Sequence, residues 1–172
     1  SLDRLERSGD ALRQLDRLKA VLGPAAGSRA SVWAETLLWE GEIARRALQM
    51  VRSRAAYQRL LQEFPDSTWR AQGQLGLGLV FFHHQSYDQA LALAQDLLQR
   101  VPTSPLLPQA RLLEGLSFLN LKRFQEAEQV FRRLLQAPLD PSLRAQTALY
   151  LGEALSGQER FDAAAEAYQQ AI

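Results

Sequence analysis

The side chains that could support chemistry are few, and their spacing does not suit a reaction. His83 and His84 are the two histidines of the sequence. Adjacent residues of a helix point about 100° apart, so this pair cannot chelate one metal ion. The absence of cysteine excludes disulfides, thiolate zinc sites and cysteine nucleophiles. Glu126 and Glu128 fall on the polar face of a predicted helix and indicate ordinary surface charge.

Glycine and serine patterns do not indicate an enzyme either. The cluster Gly73-x-x-Gly76-x-Gly78 lies inside a helical pattern, follows no strand and lacks the Lys-Ser/Thr pair of a phosphate-binding loop. Serines lie at turns and helix starts, and no Gly-x-Ser-x-Gly elbow occurs. We therefore predict a protein with no catalytic residues, no metal site and no cofactor.

Charge and hydropathy argue against nucleic acid and membranes as partners. The formal net charge is +1, so no overall field attracts the chain to polyanions. Apolar runs such as Leu75 to Phe82 are too short to cross a bilayer, so no direct membrane insertion is expected. The arginines that cluster before residue 60 spread around a helix axis beside glutamates such as Glu40 and indicate a solvated surface. They are Arg45, Arg46, Arg52, Arg54 and Arg59.

A repeat of 37 residues organises the chain and the helices predicted in it. The intervals from 41 to 78, from 78 to 115 and from 115 to 152 are each 37 residues, and each of these positions is glycine. Several series in phase indicate structural repetition. The series are Gly41, Gly78, Gly115 and Gly152; Tyr87, Phe124 and Phe161; and Ala90, Ala127 and Ala164.

Each repeat is predicted to contain two helices. In the clearest repeat the first helix is predicted from Thr68 to His84 and the second from Tyr87 to Arg100, with apolar residues at i, i+3 and i+4. No segment alternates as a strand would.

Helix starts are marked by cap residues. Ser86 is predicted to cap the second helix, and Ser28 can cap the helix after the Gly/Pro break. Ser104 and Asp140 each precede a proline, which predicts a helix start with proline in the first helical position.

The small residues in register predict close contact between helices. A glycine inside a helix costs about 1 kcal/mol relative to alanine, so the series implies a gain from close approach. We expect the alanine series to supply the matching small surface and the aromatic series to fill the space beside it. A single helix pair cannot bury its apolar face, so neighbouring repeats must stack.

These motifs resemble the signature of the tetratricopeptide repeat (TPR) family. The resemblance lies in Leu77-Gly78-x-x-Phe81 and Tyr87-x-x-Ala90-x-x-x-Ala94-x-x-Leu97, with counterparts in the later repeats. It implies an all-α, TPR-like solenoid of stacked antiparallel helix hairpins in a right-handed superhelix. The usual unit is about 34 residues. The longer unit resembles a bacterial subgroup that includes the Tol-Pal-associated periplasmic coordinator protein and outer-membrane assembly lipoproteins, which implies a periplasmic or envelope location.

Two regions depart from the repeat pattern. Residues 1–22 form a separate amphipathic helix with an apolar seam, and Ala44 to Leu61 contains no breaker, so the first repeat is either degenerate or one long helix.

The chain begins without Met and ends inside a helical pattern, so we expect it to be part of a larger protein. The predicted segments are 1–22 helix, 23–27 linker, 28–67 degenerate repeat, and TPR-like repeats 68–104, 105–141 and 142–172, the last truncated.

The resemblance implies a binding groove along the first helices. Its middle is apolar, and leaving apolar surface wet costs roughly 25 cal/mol per Å². The Lys/Asn pattern that clamps a terminal carboxylate is absent, so we expect a protein or peptide partner that offers an amphipathic helix or apolar segment. The groove residues are Gln72, Leu75, Leu79, Phe82, His83, Gln109, Leu112, Leu116, Leu119, Asn120, Gln146, Leu149 and Glu153, with Glu35, Leu38, Glu42 and Arg45 from the first repeat.

Two alternatives stay open. Leu79 and Leu116 could be core residues covered by the N-terminal helix folding back. Phe161, Tyr168 and Ile172 lack a following helix, so the chain could instead form a homo-oligomer through its repeat ends or its N-terminal helix. The three tryptophans, Trp33, Trp39 and Trp69, are anchors of either a core or an interface.

Overall fold

The computed structural model describes residues 2–22 and 29–171, without the side chains of residues 2–5 and 22. Within those ranges every regular element is a helix, which confirms the all-α prediction. The predicted linker, the Ser28 cap and Ile172 lie outside the described residues. The helices are α1 Leu2–Leu22, α2 Ala30–Arg46, α3 Met50–Glu63, α4 Arg70–His83, α5 Tyr87–Arg100, α6 Leu107–Asn120, α7 Phe124–Leu135, α8 Pro141–Ser156 and α9 Phe161–Gln169.

The helices belong to two compact units that divide between Val80 and Phe81, within α4. In unit 1, α2 packs against α3 and α1 packs against α2. In unit 2, each helix from α5 to α9 packs against the next, and α6 also contacts α8. This neighbour pattern is that of antiparallel hairpins laid side by side, with the first helices of successive hairpins in contact.

Three hairpins, α2–α3, α6–α7 and α8–α9, place a glycine of the first helix against an aromatic ring of the second helix. A Cβ atom built on Gly41 would lie 2.5 Å from Cε1 of Tyr57. A Cβ on Gly115 would meet the Phe131 ring equally closely. The Tyr57 ring also lies against Gly76 of α4, and its side chain is completely buried. The rings therefore occupy the space that a glycine leaves free.

The prediction that the alanine series lies opposite these glycines is therefore wrong. Ala90, Ala127 and Ala164 are buried as expected, but the atoms nearest to Gly115 and Gly152 belong to Phe131 and Tyr168. A flat ring fills the gap left by a missing Cβ more completely than a methyl group does. The small size of glycine predicted that the two helices approach closely, but it did not identify the aromatic ring that fills the space between them.

The repeated aromatic series has three different environments. The Phe124 ring lies against Gly157, the residue after α8. Tyr87 packs edge-on against Phe82, with ring centroids 5.2 Å apart. Phe161 is 66% exposed, because no described helix packs over this side of α9.

The turns inside the hairpins share a left-handed residue. Leu48, Gln85, Lys122 and Glu159 have φ values of 59°, 59°, 59° and 61°, and they are spaced 37 residues apart. The next residue donates its N–H to the carbonyl five residues back, as Arg123 does to Phe118 at 2.9 Å. This is the Schellman arrangement of a helix C-terminus. Such a turn after α2 shows that Ala44 to Leu61 is not one long helix.

The predicted helix starts are partly confirmed. The second helix of the clearest repeat begins and ends at Tyr87 and Arg100 as predicted, although the Ser86 hydroxyl makes no capping bond. Asp140 caps α8, since its Oδ1 accepts from the Leu143 N–H at 3.0 Å. The cap predicted at Ser104 is wrong: its hydroxyl oxygen accepts from the Leu106 N–H within a turn, and α6 begins only at Leu107.

An ion-pair network attaches α1 to the first hairpin. Glu40 of α2 is 6% exposed, and its carboxylate accepts hydrogen bonds from Lys19 and from Arg52, each at 2.8 Å. Arg52 also pairs with Asp16 of α1 at 2.5 Å. Leu12 of α1 is 2% exposed and contributes the apolar part of the contact. Glu40 and Arg52 therefore do not belong to the solvated surface that was predicted for this segment.

Replacing Gly115 with alanine should destabilise the protein, because the new Cβ would overlap the buried Phe131 ring. Overpacking costs about 1–3 kcal/mol and the gain in helix propensity is about 1 kcal/mol, so a net loss of up to about 2 kcal/mol is expected. Urea unfolding followed by circular dichroism measures it. Gly9→Ala is the matched control, since its Cβ would have only an arginine side-chain atom at 3.7 Å and should be neutral or stabilising. Equal effects at both sites would contradict this packing account.

Replacing Lys122 with glycine should stabilise unit 2. A left-handed non-glycine residue costs about 1–2 kcal/mol, part of which is offset by the greater entropy of unfolded glycine, so a gain of about 0.5–1 kcal/mol is expected. Thermal unfolding measures the change. Lys122→Ala keeps the backbone cost and should give no gain; an equal gain from alanine would show that the lysine side chain, and not the backbone, is responsible.

Candidate protein-binding surface

An apolar surface lies on the two first helices of unit 2, and we call it the α6–α8 face. Leu112, Leu116 and Leu119 of α6 are half-buried and pack on the core cluster that contains Phe131. Leu149 of α8 is 43% exposed. The exposed polar residues predicted for the same surface are Gln109, Asn120, Gln146 and Glu153. Apolar side chains on adjacent helices thus remain partly accessible to a partner.

The position of Leu149 is occupied by leucine in the first helix of every hairpin. Leu38, Leu75, Leu112 and Leu149 follow the repeat of 37 residues. Leu38 is 5% exposed and belongs to the core of unit 1, so its predicted place in a groove is wrong. Leu75 is half-buried on α4. The exposure of the series is greatest at Leu149, in the last hairpin.

The other groove residues predicted on α4 are also partly accessible. Gln72 and Leu79 are half-buried in unit 1, and the Gln72 Oε1 is a buried atom with no hydrogen-bond partner among the described residues. At the end of α4, within unit 2, Phe82 is half-buried and His83 is exposed. These residues remain candidates for contact with a partner.

Two polar residues predicted for the first repeat are used inside unit 1. The Glu42 carboxylate accepts from Arg45 at 2.9 Å and from the Tyr57 hydroxyl at 2.7 Å. Burial raises the pKa of Tyr57, and the hydrogen bond to Glu42 raises it further. Glu42 and Arg45 therefore stabilise the hairpin around the buried Tyr57 ring.

The tryptophans divide between core and surface. Trp33 is 7% exposed, and the Arg59 guanidinium carbon lies 5.8 Å from its ring centroid. Trp39 is 48% exposed and donates its ring N–H to Glu35 at 3.3 Å. Trp69 is half-buried. The sequence pattern could not separate these environments, because all three residues lie in or beside first helices.

The described residues contain no arrangement suited to metal binding. His83 and His84 are both exposed, and in residues 2–22 and 29–171 no three His, Cys, Asp or Glu side chains come together as ligands. None of the described helices combines the length and the apolar character needed to cross a membrane.

Glu128 is not the ordinary surface charge that was predicted. Its side chain is 13% exposed and binds Arg132 of its own helix at 2.8 Å. It also accepts from Gln158 at 2.9 Å and pairs with Arg160 at 2.7 Å, in the turn between α8 and α9. Burial alone would raise the pKa of Glu128, but these hydrogen bonds outweigh burial and lower it. The network connects consecutive hairpins, whereas Glu126 pairs only with nearby Arg123.

Comparison with known proteins supports the repeat assignment. Two family models described as tetratricopeptide repeat match residues 52–105, 77–143 and 112–172, and residues 35–67. Together they cover most of the chain. No curated protein matches the chain in sequence.

Solved structures show the same fold. MamA AMB-1 aligns with a TM-score of 0.70 at 22% identity, covering 96% of this chain and 81% of that chain. The MamA RS-1 ArsTM double mutant gives 0.76 at 18% identity, covering 95% and 83%. BtubC from P. vanneervenii gives 0.70 at 16% identity, covering 80% and 61%. The predicted fold class, a TPR-like solenoid of helix hairpins, is confirmed.

Replacing Glu128 with glutamine should lower stability and change its pH dependence. Because the folded pKa is lowered, the stabilisation is fully present above the ordinary glutamate value of about 4.3 and is lost as the pH falls through the folded pKa. At neutral pH we expect a loss of about 1 kcal/mol, since two of the partners are half-exposed arginines.

Thermal unfolding between neutral pH and about pH 3 measures this difference between wild type and variant. The difference should shrink towards the acid end. Glu126→Gln, on the same helix but exposed, should have the smaller effect. A difference that grows on acidification would contradict the assigned direction of the pKa shift.

Proposed function

This chain belongs to the tetratricopeptide repeat family, and we propose that it is a non-catalytic scaffold that binds a segment of a partner protein on the α6–α8 face. The observation that carries the proposal is the exposure of Leu149, 43% of its surface, beside the half-buried leucines of α6. Apolar surface of this kind is stabilised when a partner covers it, by roughly 25 cal/mol for each Å² buried.

The chemistry of the α6–α8 face favours an amphipathic helix or an apolar extended segment. Leu112, Leu116 and Leu149 offer aliphatic contact, and Gln109 and Gln146 offer amide groups beside it. Amides can pair with the polar residues at the edge of an apolar stripe, which gives orientation without a fixed charge. Leu75 and Leu79 of α4, which are half-buried in unit 1, are proposed separately as apolar contacts for a partner.

We also propose that the protein is located in the bacterial envelope. This proposal depends on the long repeat unit of 37 residues and on the resemblance to the Tol-Pal-associated and outer-membrane assembly proteins. The matching structures are other repeat proteins and do not support that subgroup. A bacterial assembly role in the envelope is therefore proposed from the sequence pattern alone.

Peptides selected from a random display library against the whole chain test the proposal. We expect the selected peptides to carry apolar residues at i, i+3 or i+4, and i+7. Leu149→Glu should weaken their binding by about tenfold or more, because a charge would replace a contact residue. Its melting temperature should change little, since the side chain is exposed. Leu79 and Leu116 are less suitable for substitution, because both are half-buried.

Val51→Glu is the matched control for that experiment. Val51 lies on α3 and is 84% exposed, so the same change of charge is made away from the α6–α8 face. Its affinity for the selected peptides should equal that of wild type. Peptides that bind wild type and Leu149→Glu equally well would refute the proposed surface.

A second candidate function is self-assembly, and the exposure of Phe161 favours it. Phe124, in the same register, lies against Gly157 of the next hairpin, whereas Phe161 is 66% exposed. A second copy of the chain could cover this ring. Sedimentation equilibrium should then show association that Phe161→Glu abolishes and Leu149→Glu leaves unchanged. A strict monomer at high concentration would exclude this function.

A further inference from the structure

A cleft of about 390 Å³ opens between α5, α6 and α7 in unit 2, and we call it the arginine cleft. The sequence gives no sign of this cleft, because its residues come from three helices and share no motif. Its lining combines apolar side chains with two positive charges and one negative charge. The residues that line it include Gln95, Leu98, Arg111, Glu114, Val130 and Arg133.

The two cleft arginines differ from the other arginines of unit 2 in having no partner. Among the residues that the structure describes, Arg111 and Arg133 make no ion pair, hydrogen bond or ring contact. The remaining arginines of the unit are all engaged: Arg100 with Asp96, Arg123 with Glu126, Arg132 and Arg160 with Glu128, and Arg144 with the carbonyl oxygens of Leu135 and Ala137.

The one acid of the cleft is held by another group. Glu114 accepts a hydrogen bond from the Gln95 amide at 3.2 Å. Neither Arg111 nor Arg133 lies within ion-pair distance of Glu114 in the described structure. The guanidinium groups therefore keep their full hydrogen-bonding capacity for an incoming ligand, and the cleft has a net positive charge.

The next hairpin contains an equivalent cleft in which the one arginine, Arg132, is paired with Glu128. It lies between α7, α8 and α9, and it is lined by residues 37 positions later, such as Leu135 for Leu98 and Ala167 for Val130. The residues equivalent to Arg111 and Arg133 are Ala148 and Gln170. Repeat packing thus produces the cleft, but the unpartnered arginines are particular to one copy of it.

We propose that the arginine cleft is a second binding site, and that its ligand is an acidic segment of a partner protein. A guanidinium group pairs with a carboxylate through two parallel hydrogen bonds, so two free arginines can hold two acidic side chains. Leu98 and Val130 provide contact for an apolar residue between them. Nucleic acid fits less well, because no aromatic side chain lines the cleft for base stacking and Glu114 would repel phosphates.

This site is distinct from the α6–α8 face. Glu114 is two residues from both Leu112 and Leu116, and two residues correspond to about 200° around a helix. The cleft and the leucines therefore lie on different sides of α6. An acidic segment in the cleft and an apolar segment on the α6–α8 face could bind at the same time.

The test measures binding of a panel of fluorescein-labelled peptides, each a short run of Glu and Asp with one central Leu, to the whole chain. Wild type should bind members of the panel, and its affinity for them should fall as salt is added. Arg111→Gln combined with Arg133→Gln should weaken binding by about tenfold or more, because both charge-assisted contacts are lost. Circular dichroism should show that this double variant is folded, since neither arginine has a partner to lose.

The matched control is the double variant Arg100→Gln and Arg123→Gln. It removes the same charge from the same unit at arginines that have partners, and binding should stay within about twofold of wild type. Leu149→Glu should also keep acidic-peptide binding, which separates this site from the proposed apolar surface. Peptides in which Gln and Asn replace Glu and Asp should not bind.

Four results would overturn the proposal. They are equal losses in the two double variants, no measurable binding of any acidic peptide by wild type, preferential binding of single-stranded RNA, and a self-association that Arg111→Gln with Arg133→Gln abolishes. The first would show only general electrostatic attraction. The last two would assign the cleft to nucleic acid or to a second copy of this chain.

Discussion

In the hairpins α2–α3, α6–α7 and α8–α9, the contact between a first-helix glycine and a second-helix aromatic ring determines how the two helices pack. Tyr57 shows it most fully, since its buried ring lies against Gly41 of the preceding helix and Gly76 of the following one. A side chain at either glycine would have to displace the ring. Because the helices can approach only where the glycine is, the contact fixes both their separation and their rotation.

That rotation decides which residues of a first helix reach the surface. In α6, Gly115 faces the Phe131 ring, Leu112 is half-buried against the core cluster, and Arg111 lines the cleft between α5, α6 and α7. Two different surfaces thus follow from one packing contact. The apolar one and the basic one lie on different sides of the same helix, which suits a scaffold that holds two segments of different chemistry.

Sequence periodicity predicted the helices well and their contacts less well. The repeat of 37 residues located α5 at its observed ends, and glycine in register correctly indicated close approach. It did not identify the rings opposite Gly41, Gly115 and Gly152, because a small residue does not specify what fills the space beside it. The left-handed turns were missed because Leu48 and Lys122 are not residue types that favour that conformation.

Charged residues were the least predictable part of the candidate sites. Glu40 and Glu128 appear in polar stretches of sequence, yet each is held by partners from other elements, such as Lys19 of α1 and Arg160 of the turn before α9. Arg111 and Arg133 appear in similar stretches and have no partner among the described residues. Only the packing of distant helices separates a charge used for stability from one that is free to bind a ligand.

The most direct test of the central claim is the coupling free energy between Gly115 and Phe131. It is obtained from urea unfolding of wild type, Gly115→Ala, Phe131→Ala and the double variant. If the ring fills the space of the missing Cβ, the cost of the alanine should largely vanish once the ring is removed, giving a coupling of about 1–3 kcal/mol. Effects that add to within about 0.5 kcal/mol would contradict the claim that this contact determines how the helices pack.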